Sequence, residues 1–148
     1  NSSSISDGAA GLALMDVERA EALGFEPIAL IKGYDDASHE PEWFTTAPVE
    51  AIKKTLSRVG WSVDDVDLWE VNEAFAVVTM AAMQDLRIGH SVMNVNGGAC
   101  ALGHPIGASG ARILVTLLHA LRQRNLKRGI ASLCIGGGEA TAMAIEII

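Results

Sequence analysis

Residues 95–112 read VNGGACALGHPIGASGAR, and this glycine-rich stretch carries the clearest functional pattern in the sequence. No Asp, Glu, Lys or Arg lies between Arg87 and Arg112. Glycines let a loop approach a ligand closely and present bare backbone N–H groups. His104 is the residue within the stretch that can exchange protons near neutral pH. A strong helical pattern follows, so we expect the loop to lead into a helix N-terminus and to hold or activate a ligand.

Composition narrows the class of protein. The 148 residues suffice for one domain with a hydrophobic core, since 49% are hydrophobic and 20% are charged. The formal net charge of −7 argues against non-specific nucleic-acid binding. Two cysteines are too few for a disulfide framework and suit a reducing compartment, so we expect a cytoplasmic protein.

The sequence shows neither a secretory signal nor a membrane helix. Its first residues are polar, and the uncharged stretch after Arg87 is interrupted by Asn, Pro and glycines. We therefore expect no membrane partner. The chain starts without an initiator Met, which is compatible with a fragment or a product of cleavage.

Hydrophobic periodicity and turn residues predict strands that alternate with helices. The predicted strands are residues 9–15, 27–34, 66–71, 129–136 and 140–148. The predicted helices are residues 17–23, 46–59, 75–86 and a fourth that follows the glycine-rich stretch. This alternation predicts an α/β fold with a mixed, mainly parallel sheet of five strands and helices on both faces. The final two strands are predicted to form an antiparallel hairpin around a three-glycine turn.

Polar and reactive residues are predicted at the ends of strands, where sites in α/β folds usually form. Asn72 follows one strand and Cys134 ends another, while His104 lies in the glycine-rich stretch. A Cys and a His together suggest thiolate chemistry, with Asn72 and the Gly136 N–H as oxyanion donors. Structural interpretations remain open: Cys134 and Cys100 can be inert core residues, and Asn72 can be a helix N-cap.

Several common motifs do not fit the sequence. His104 and Pro105 stand where a Walker A loop requires Lys and Ser or Thr. The segment around Ser109 misses the G-x-S-x-G nucleophile elbow by one residue. Cys100, His104 and Cys134 lack paired metal-ligand spacing, so we expect no metal site.

Three segments taken together resemble the thiolase family: VNEAFA at 71–76, GGACALGHPIGASGAR at 97–112 and CIGGG at 134–138. They are similar to the NEAFA, GGxxALGHPxGxSGxR and CxGGG blocks of its acetyl-CoA acetyltransferase branch. Residues 1–10 are similar to the N-A-S-x-x-N-D-G-A-A segment that precedes these blocks. The resemblance covers only the C-terminal part of a thiolase. It implies that residues 1–26 are the end of the N-terminal domain (a strand plus a helix) and that residues 27–148 are the C-terminal domain.

The resemblance implies a catalytic role for four residues. His104 resembles the histidine that activates the nucleophilic cysteine and helps to line an oxyanion hole. Asn72 resembles the asparagine that holds a water molecule in that hole. Cys134 resembles the second cysteine, which takes a proton from the methyl group of acetyl-CoA and returns one to the leaving thiol. Gly136 resembles the glycine whose N–H lines the other oxyanion hole.

The resemblance also implies how substrate is bound. Ser3 matches a serine near the pantetheine, and Ala74 and Phe75 match residues that line the substrate tunnel. The implied substrates are coenzyme A thioesters, acetyl-CoA and acetoacetyl-CoA, with no further cofactor. The implied reaction is Claisen condensation of two acetyl-CoA, or thiolysis of a 3-ketoacyl-CoA, by a ping-pong mechanism in a homodimer or homotetramer.

The sequence departs from the family pattern chiefly in what it lacks. The family nucleophile is a cysteine of the N-terminal half, and neither cysteine of this chain lies in that context. The loop region that contacts the nucleotide of coenzyme A and builds the tetramer is also absent. Ser4 and Ser6 stand where Gly and Asn are usual. We therefore expect the chain alone to be inactive and to need the N-terminal half as a partner. The alternative is a non-catalytic thiolase-fold module for subunit contact or acyl-CoA binding.

Overall fold

Four strands form a single mixed sheet in the computed structural model, which describes all residues from Asn1 to Ile148. The strands are β1 (Ala29–Ser38), β2 (Leu68–Val71), β3 (Arg128–Ile135) and β4 (Glu139–Ile147). Their spatial order is β1-β4-β3-β2. β2 pairs with β3 in parallel, whereas β4 pairs antiparallel with both β1 and β3. The α/β class and the final hairpin therefore agree with the prediction.

The predicted number and direction of strands need correction. Residues 9–15 form no strand, and Leu14 and Met15 are 66% and 46% exposed. The segment has no neighbouring strand to satisfy its backbone, which an apolar sequence alone does not reveal. The sheet is not mainly parallel, because β4 lies between β1 and β3 and makes two of the three pairings antiparallel.

Helices cover both faces of the sheet, as predicted. They are α1 (Val17–Ala22), α2 (Ala47–Val59), α3 (Ala76–Leu86), α4 (Ala99–Leu102) and α5 (Ser109–Arg124). Helices α2 and α3 pack on one face, where Ile52 and Val78 join Trp69 and Ile130 in the larger hydrophobic core. Helix α5 packs on the other face through Leu117 and its neighbours. No helix is both long enough and apolar enough to cross a membrane.

Local sequence explains why α2 forms where it does. Pro48 lies in its first turn, where a missing N–H is tolerated, and Gly60 ends it in the left-handed conformation with φ of 70°. Val49, Ile52 and Leu56 recur at helical spacing and are buried against the sheet. Burial of a side chain such as Ile52 stabilises the fold by about 1.5–3 kcal/mol.

The parallel pair β2–β3 determines where the candidate site forms. Val71 is in register with Ser132, and the N–H of Asn72 donates to the Ser132 carbonyl at 2.8 Å. The C-terminal ends of the two strands therefore lie side by side, separated by the usual strand spacing of about 4.8 Å. Asn72 leaves one strand at this edge and Cys134 lies at the end of the other.

Candidate active site

Asn72 directly follows β2, where the side chain of Asn94 holds the backbone in place. The side chain of Asn94 binds both polar groups of Val71, accepting from its N–H at 2.9 Å and donating to its carbonyl at 2.8 Å. Asn72 itself is only 1% exposed. Helix α3 begins at Ala76 with Phe75 at its N-cap, so Asn72 does not cap a helix. Its side chain is therefore available for other partners.

His104 lies in the loop between α4 and α5, which the N-terminal segment braces. The N–H of His104 donates to the Ser4 carbonyl at 3.0 Å and to the Ser6 hydroxyl at 2.9 Å. Gly103 has a φ of 87°, and a Cβ atom there would collide with the Ser6 hydroxyl. Glycine is therefore required for the close approach of the loop to the N-terminal segment.

The imidazole of His104 joins a chain of buried side chains. Its Nε2 lies 3.4 Å from Nδ2 of Asn72, and its Nδ1 lies 2.6 Å from the Ser109 hydroxyl. The Ser109 hydroxyl donates to the Pro105 carbonyl at 3.0 Å. On the other side, Arg112 donates from Nη2 to Oδ1 of Asn72 at 3.1 Å. One connected network thus holds the predicted His–Asn pair.

The surroundings of His104 favour its neutral form. Burial lowers the pKa of the His104 ring, and the positive charge of Arg112 lowers it further. Below-normal basicity leaves the imidazole uncharged near neutral pH, so it can accept a proton. An uncharged histidine in contact with a buried amide is suited to general-base chemistry.

Cys134 and Gly136 lie at the β3–β4 hairpin. Cys134 is 8% exposed, and burial raises the pKa of its thiol, so the thiol is protonated at neutral pH. Gly136 is exposed in the turn, which the Gly138 N–H closes by donating to the Ile135 carbonyl at 3.2 Å. The structure therefore joins Asn72 and His104 directly, whereas Cys134 and Gly136 lie outside their hydrogen-bonded network.

The predicted substrate-binding residues lie beside the start of α3. The Ser3 hydroxyl and N–H both donate to the Ala74 carbonyl, at 2.9 and 3.0 Å. Phe75 is 39% exposed and packs edge-on against Phe44, with ring centroids 6.0 Å apart. Phe75 lines an open, largely apolar groove of about 510 Å³ along α3. Phe75 and its neighbours thus line one side of an apolar groove.

Glu70 and Arg112 are two candidate functional residues that the sequence did not indicate. Glu70 is only 4% exposed, and its Oε1 and the Nε of Arg112 are buried without a hydrogen-bond partner. Both residues line a cavity of about 10 Å³, beside Asn72. Burial raises the pKa of Glu70 to about 7, against the opposing influence of Arg112. The available signal was a carboxylate inside the otherwise apolar strand sequence LWEV.

Cys100 is held away from this network by Glu73. Its N–H donates to Oε2 of Glu73 at 3.0 Å, and its Sγ donates to the Glu73 carbonyl at 3.7 Å. Burial and the Glu73 carboxylate raise the pKa of the Cys100 thiol. No group of three or more His, Cys, Asp or Glu side chains is arranged to hold a metal ion.

The fold and these motifs match one family. The family model described as "Thiolase, C-terminal domain" matches residues 25–147. The chain belongs to the thiolase family. It is 53% identical to an acetyl-CoA acetyltransferase of Chromobacterium violaceum over 146 residues, and 53% identical to acetyl-CoA acetyltransferase 2 of Arabidopsis thaliana over 148 residues. It is also 47% identical to the cytosolic acetyl-CoA acetyltransferase of Mus musculus over 146 residues.

A solved structure shows the same thiolase architecture. The crystal structure of the Bacillus anthracis acetyl-CoA acetyltransferase superposes with a TM-score of 0.88 at 46% identity, over 90% of this chain and 34% of that chain. The matches to the three relatives above include 99%, 100% and 99% of this chain, in the same order, and 37% of the length of each relative. The thiolase chain described here therefore spans just over a third of the length of these relatives.

The thiolase chain exposes several large apolar side chains. Leu14 is 66% exposed in the N-terminal segment, and Val77 and Met80 of α3 are 50% and 59% exposed beside Phe75. Apolar exposure grouped as it is on α3 is typical of surfaces that another polypeptide covers. The open side of the Phe75 groove belongs to this surface.

Proposed function

We propose that the chain is the C-terminal part of an acetyl-CoA acetyltransferase, with residues 1–26 completing the N-terminal thiolase domain and residues 27–148 forming the C-terminal one. The reaction is condensation of two acetyl-CoA, or its reverse, thiolysis of a 3-ketoacyl-CoA. The observation that carries the proposal is the partly buried contact between Nδ2 of Asn72 and Nε2 of an uncharged His104. The identities to three acetyl-CoA acetyltransferases support it.

In the first half-reaction, Nε2 of His104 accepts the proton of a cysteine thiol supplied by polypeptide outside these 148 residues. The thiolate attacks the thioester carbonyl and the carbon–sulfur bond to coenzyme A breaks. The acyl group stays on the cysteine sulfur, and coenzyme A leaves as a thiol with the proton that Cys134 donates. Negative charge develops on the carbonyl oxygen. Preorganised hydrogen-bond donors of an oxyanion hole stabilise that charge in a site with few competing charges. The absence of charged side chains between Arg87 and Arg112 keeps the local dielectric low.

In the second half-reaction, Cys134 is the proposed acid/base. In the condensation direction, Cys134 is a thiolate because it has given its proton to the first coenzyme A, and it takes a proton from the methyl carbon of acetyl-CoA. The resulting carbanion attacks the acyl-enzyme and releases the nucleophilic cysteine. His104 and a water molecule held by Asn72 are proposed to line one oxyanion hole, and the N–H of Gly136 is proposed to line the other. A thiol with a raised pKa is a strong base once deprotonated, which suits abstraction from carbon.

The proposed substrates reach the site along the N-terminal part of α3. Ser3 lies against the Ala74 carbonyl, next to the apolar groove that Phe75 lines. We propose that Ser3 contacts the pantetheine and that Ala74 and Phe75 line the acyl tunnel. Coenzyme A thioesters are proposed as substrates, and no cofactor is proposed. The whole protein is proposed to be a homo-oligomer, and a cytoplasmic location fits the name of the cytosolic relative.

A chimaera provides the decisive experiment. The chain replaces the corresponding 146 residues of the Chromobacterium violaceum acetyl-CoA acetyltransferase, and coenzyme A-dependent loss of acetoacetyl-CoA is followed by absorbance. We expect activity that His104→Ala abolishes and that His119→Ala, at an exposed histidine of α5, retains. Cys134→Ala should abolish activity, whereas Cys100→Ala should not. A folded chimaera that binds acetyl-CoA without turnover would instead support the non-catalytic module.

The 148-residue chain alone is proposed to be inactive. Incubation with acetyl-CoA at neutral pH, followed by intact-mass measurement, should show no stoichiometric acetylation. A stable acetyl-cysteine on Cys100 or Cys134 would show that this chain carries its own nucleophile and would overturn that part of the proposal.

A further inference from the structure

The hydrogen-bond network around His104 has a fixed direction, because each of its two ends can play one role only. At one end is the carbonyl of Pro105, which can only accept a hydrogen bond. At the other end is the guanidinium of Arg112, which can only donate. Every group between these ends can do either, so the ends decide the proton positions within the network.

The direction can be followed from the Pro105 end. The single hydroxyl proton of Ser109 is donated to the Pro105 carbonyl at 3.0 Å. The Ser109 oxygen must then accept from its other partner, Nδ1 of His104, at 2.6 Å. Nδ1 therefore carries the ring proton, and Nε2 of the neutral ring carries the lone pair.

The direction from the Arg112 end agrees. Arg112 donates to Oδ1 of Asn72 at 3.1 Å, which sets the side-chain amide with its NH₂ group on the opposite side. That NH₂ group faces Nε2 of His104 at 3.4 Å, where it can donate to the lone pair. Both ends thus impose the same proton order on the pair between them.

We propose that Ser109 and Arg112 are positioning residues: Ser109 locks His104 in the tautomer with its proton on Nδ1, and Arg112 locks the amide of Asn72 with its NH₂ group towards Nε2. The inference rests on the proposed function, which requires a lone pair on Nε2. After Nε2 accepts a proton, the ring N–H and the Asn72 NH₂ group are two hydrogen-bond donors whose nitrogens lie 3.4 Å apart. The second tautomer would present an N–H to the thiol and could not act as its base.

The geometry argues against a purely structural role for the two residues. Ser109 is fully buried at the start of α5, and its hydroxyl contacts only the Pro105 carbonyl and Nδ1 of His104. Arg112 leaves its own Nε unpartnered in the interior while Nη2 binds Asn72. Unsatisfied buried donors cost free energy and are retained mainly where a specific contact requires them.

The first test measures the tautomer directly and does not depend on activity. Long-range ¹H–¹⁵N spectra of the 148-residue chain, at a pH above the ring pKa, distinguish a proton on Nδ1 from one on Nε2. We expect His104 to carry it on Nδ1, and Ser109→Ala to give a mixture or the other tautomer. Thr55→Val also removes a buried hydroxyl, one that donates to the Ala142 carbonyl, and should leave the tautomer unchanged. A proton on Nε2 in the unmodified chain, or no change in Ser109→Ala, would overturn the role of Ser109.

The second test uses turnover in the chimaera. Ser109→Ala should lower kcat by at least about 10-fold, the usual cost of losing an outer hydrogen-bond partner of a functional histidine. The upper limit is about 10⁴-fold, the cost of a histidine held in the wrong tautomer. KM should change little. Arg112→Met should lower kcat in the same way, Arg112→Lys less, and Arg124→Gln at the exposed end of α5 not at all.

The two tests separate the possible failures. If the tautomer changes as expected while His104→Ala keeps full activity in the chimaera, the proposed function fails and the positioning role stands. If His104→Ala abolishes activity while Ser109→Ala and Arg112→Met keep the kcat of the unmodified chimaera, the positioning role fails. If Ser109→Ala does not fold, Arg112→Met still decides, through kcat and through the shift of the Asn72 side-chain NH₂ resonance.

Discussion

Replacement of Glu70 by Gln should make the protein more stable at high pH and leave its stability nearly unchanged at low pH. Glu70 is 4% exposed on β2, and its Oε1 has no hydrogen-bond partner. Burial raises the pKa of Glu70 from 4.5 to about 7, although Arg112 opposes the shift. Gln has nearly the same shape and cannot ionise, so the substitution isolates the cost of charging this carboxyl group.

The sign follows from proton binding. Between pH 4.5 and about 7, the folded protein holds the proton of Glu70 and the unfolded chain does not, so the free energy of unfolding falls as the pH rises. The total loss is about 3 kcal/mol, at about 1.4 kcal/mol for each pH unit between the two pKa values. About 2 kcal/mol of that loss falls between pH 5.5 and pH 8. The Glu70→Gln variant should escape this loss.

Urea unfolding of both proteins at several pH values measures the effect. The free energy of unfolding of Glu70→Gln, minus that of the unmodified chain, should rise by about 2 kcal/mol from pH 5.5 to pH 8. Glu21→Gln, at an exposed carboxylate of α1, should show no such rise. A constant difference would mean that Glu70 titrates normally. A falling difference would mean that an ionised Glu70 stabilises the protein through Arg112, and either result would refute the reasoning.

Three further substitutions test other parts of the structure. Arg112→Met should raise the pKa of His104 towards its ordinary value, because a nearby positive charge disappears; a ring titration by NMR that shows no increase contradicts this. Gly103→Ala should cost clearly more than the about 1–2 kcal/mol of an alanine in the left-handed region, because φ of 87° with ψ of 168° is a conformation nearly confined to glycine and because the new Cβ also collides with the N-terminal segment. At Gly60, φ is 70° and no atom lies within 4 Å of an added Cβ, so Gly60→Ala should cost only the strain of the left-handed region. Equal losses of stability for the two variants in thermal unfolding would argue against an additional cost at Gly103. Ile52→Ala should cost about 2–5 kcal/mol in urea unfolding, and a loss below about 1 kcal/mol would show that α2 is loosely packed.

Local sequence signals predicted most helices and strands and the final hairpin, but not the order of the strands in the sheet. The helix near residues 46–59 and the strand near 129–136 lie within two residues of α2 and β3, because Pro48, Gly60 and the apolar spacing are local features. The direction of the sheet depends on which strands become neighbours. In the structure β4 lies between β1 and β3, and no residue of β4 by itself predicts that position.

The candidate site divides in the same way. Asn72, His104 and Cys134 could be named from the sequence, since reactive residues beside glycines are visible there. The contact of Asn72 with His104 depends on the tertiary structure, as do the burial of the Glu70 carboxylate and the lack of a hydrogen-bond partner for its Oε1. Burial turns an ordinary Glu into a group that titrates near 7, and burial is a property of the packed domain.

Glu70, Arg112 and His104 together form an electrostatic arrangement that a salt bridge would weaken. If Glu70 were ionised beside Arg112, it would cancel part of the positive charge that lowers the pKa of His104. A protonated Glu70 leaves that charge uncompensated, so His104 stays neutral and Arg112 keeps its hydrogen bond to Asn72. The protonated Glu70 therefore helps to keep Nε2 of His104 unprotonated near neutral pH. As Glu70 ionises near pH 7, the pKa of His104 should rise, because the carboxylate offsets part of the Arg112 charge that acts on both groups, while burial continues to lower it.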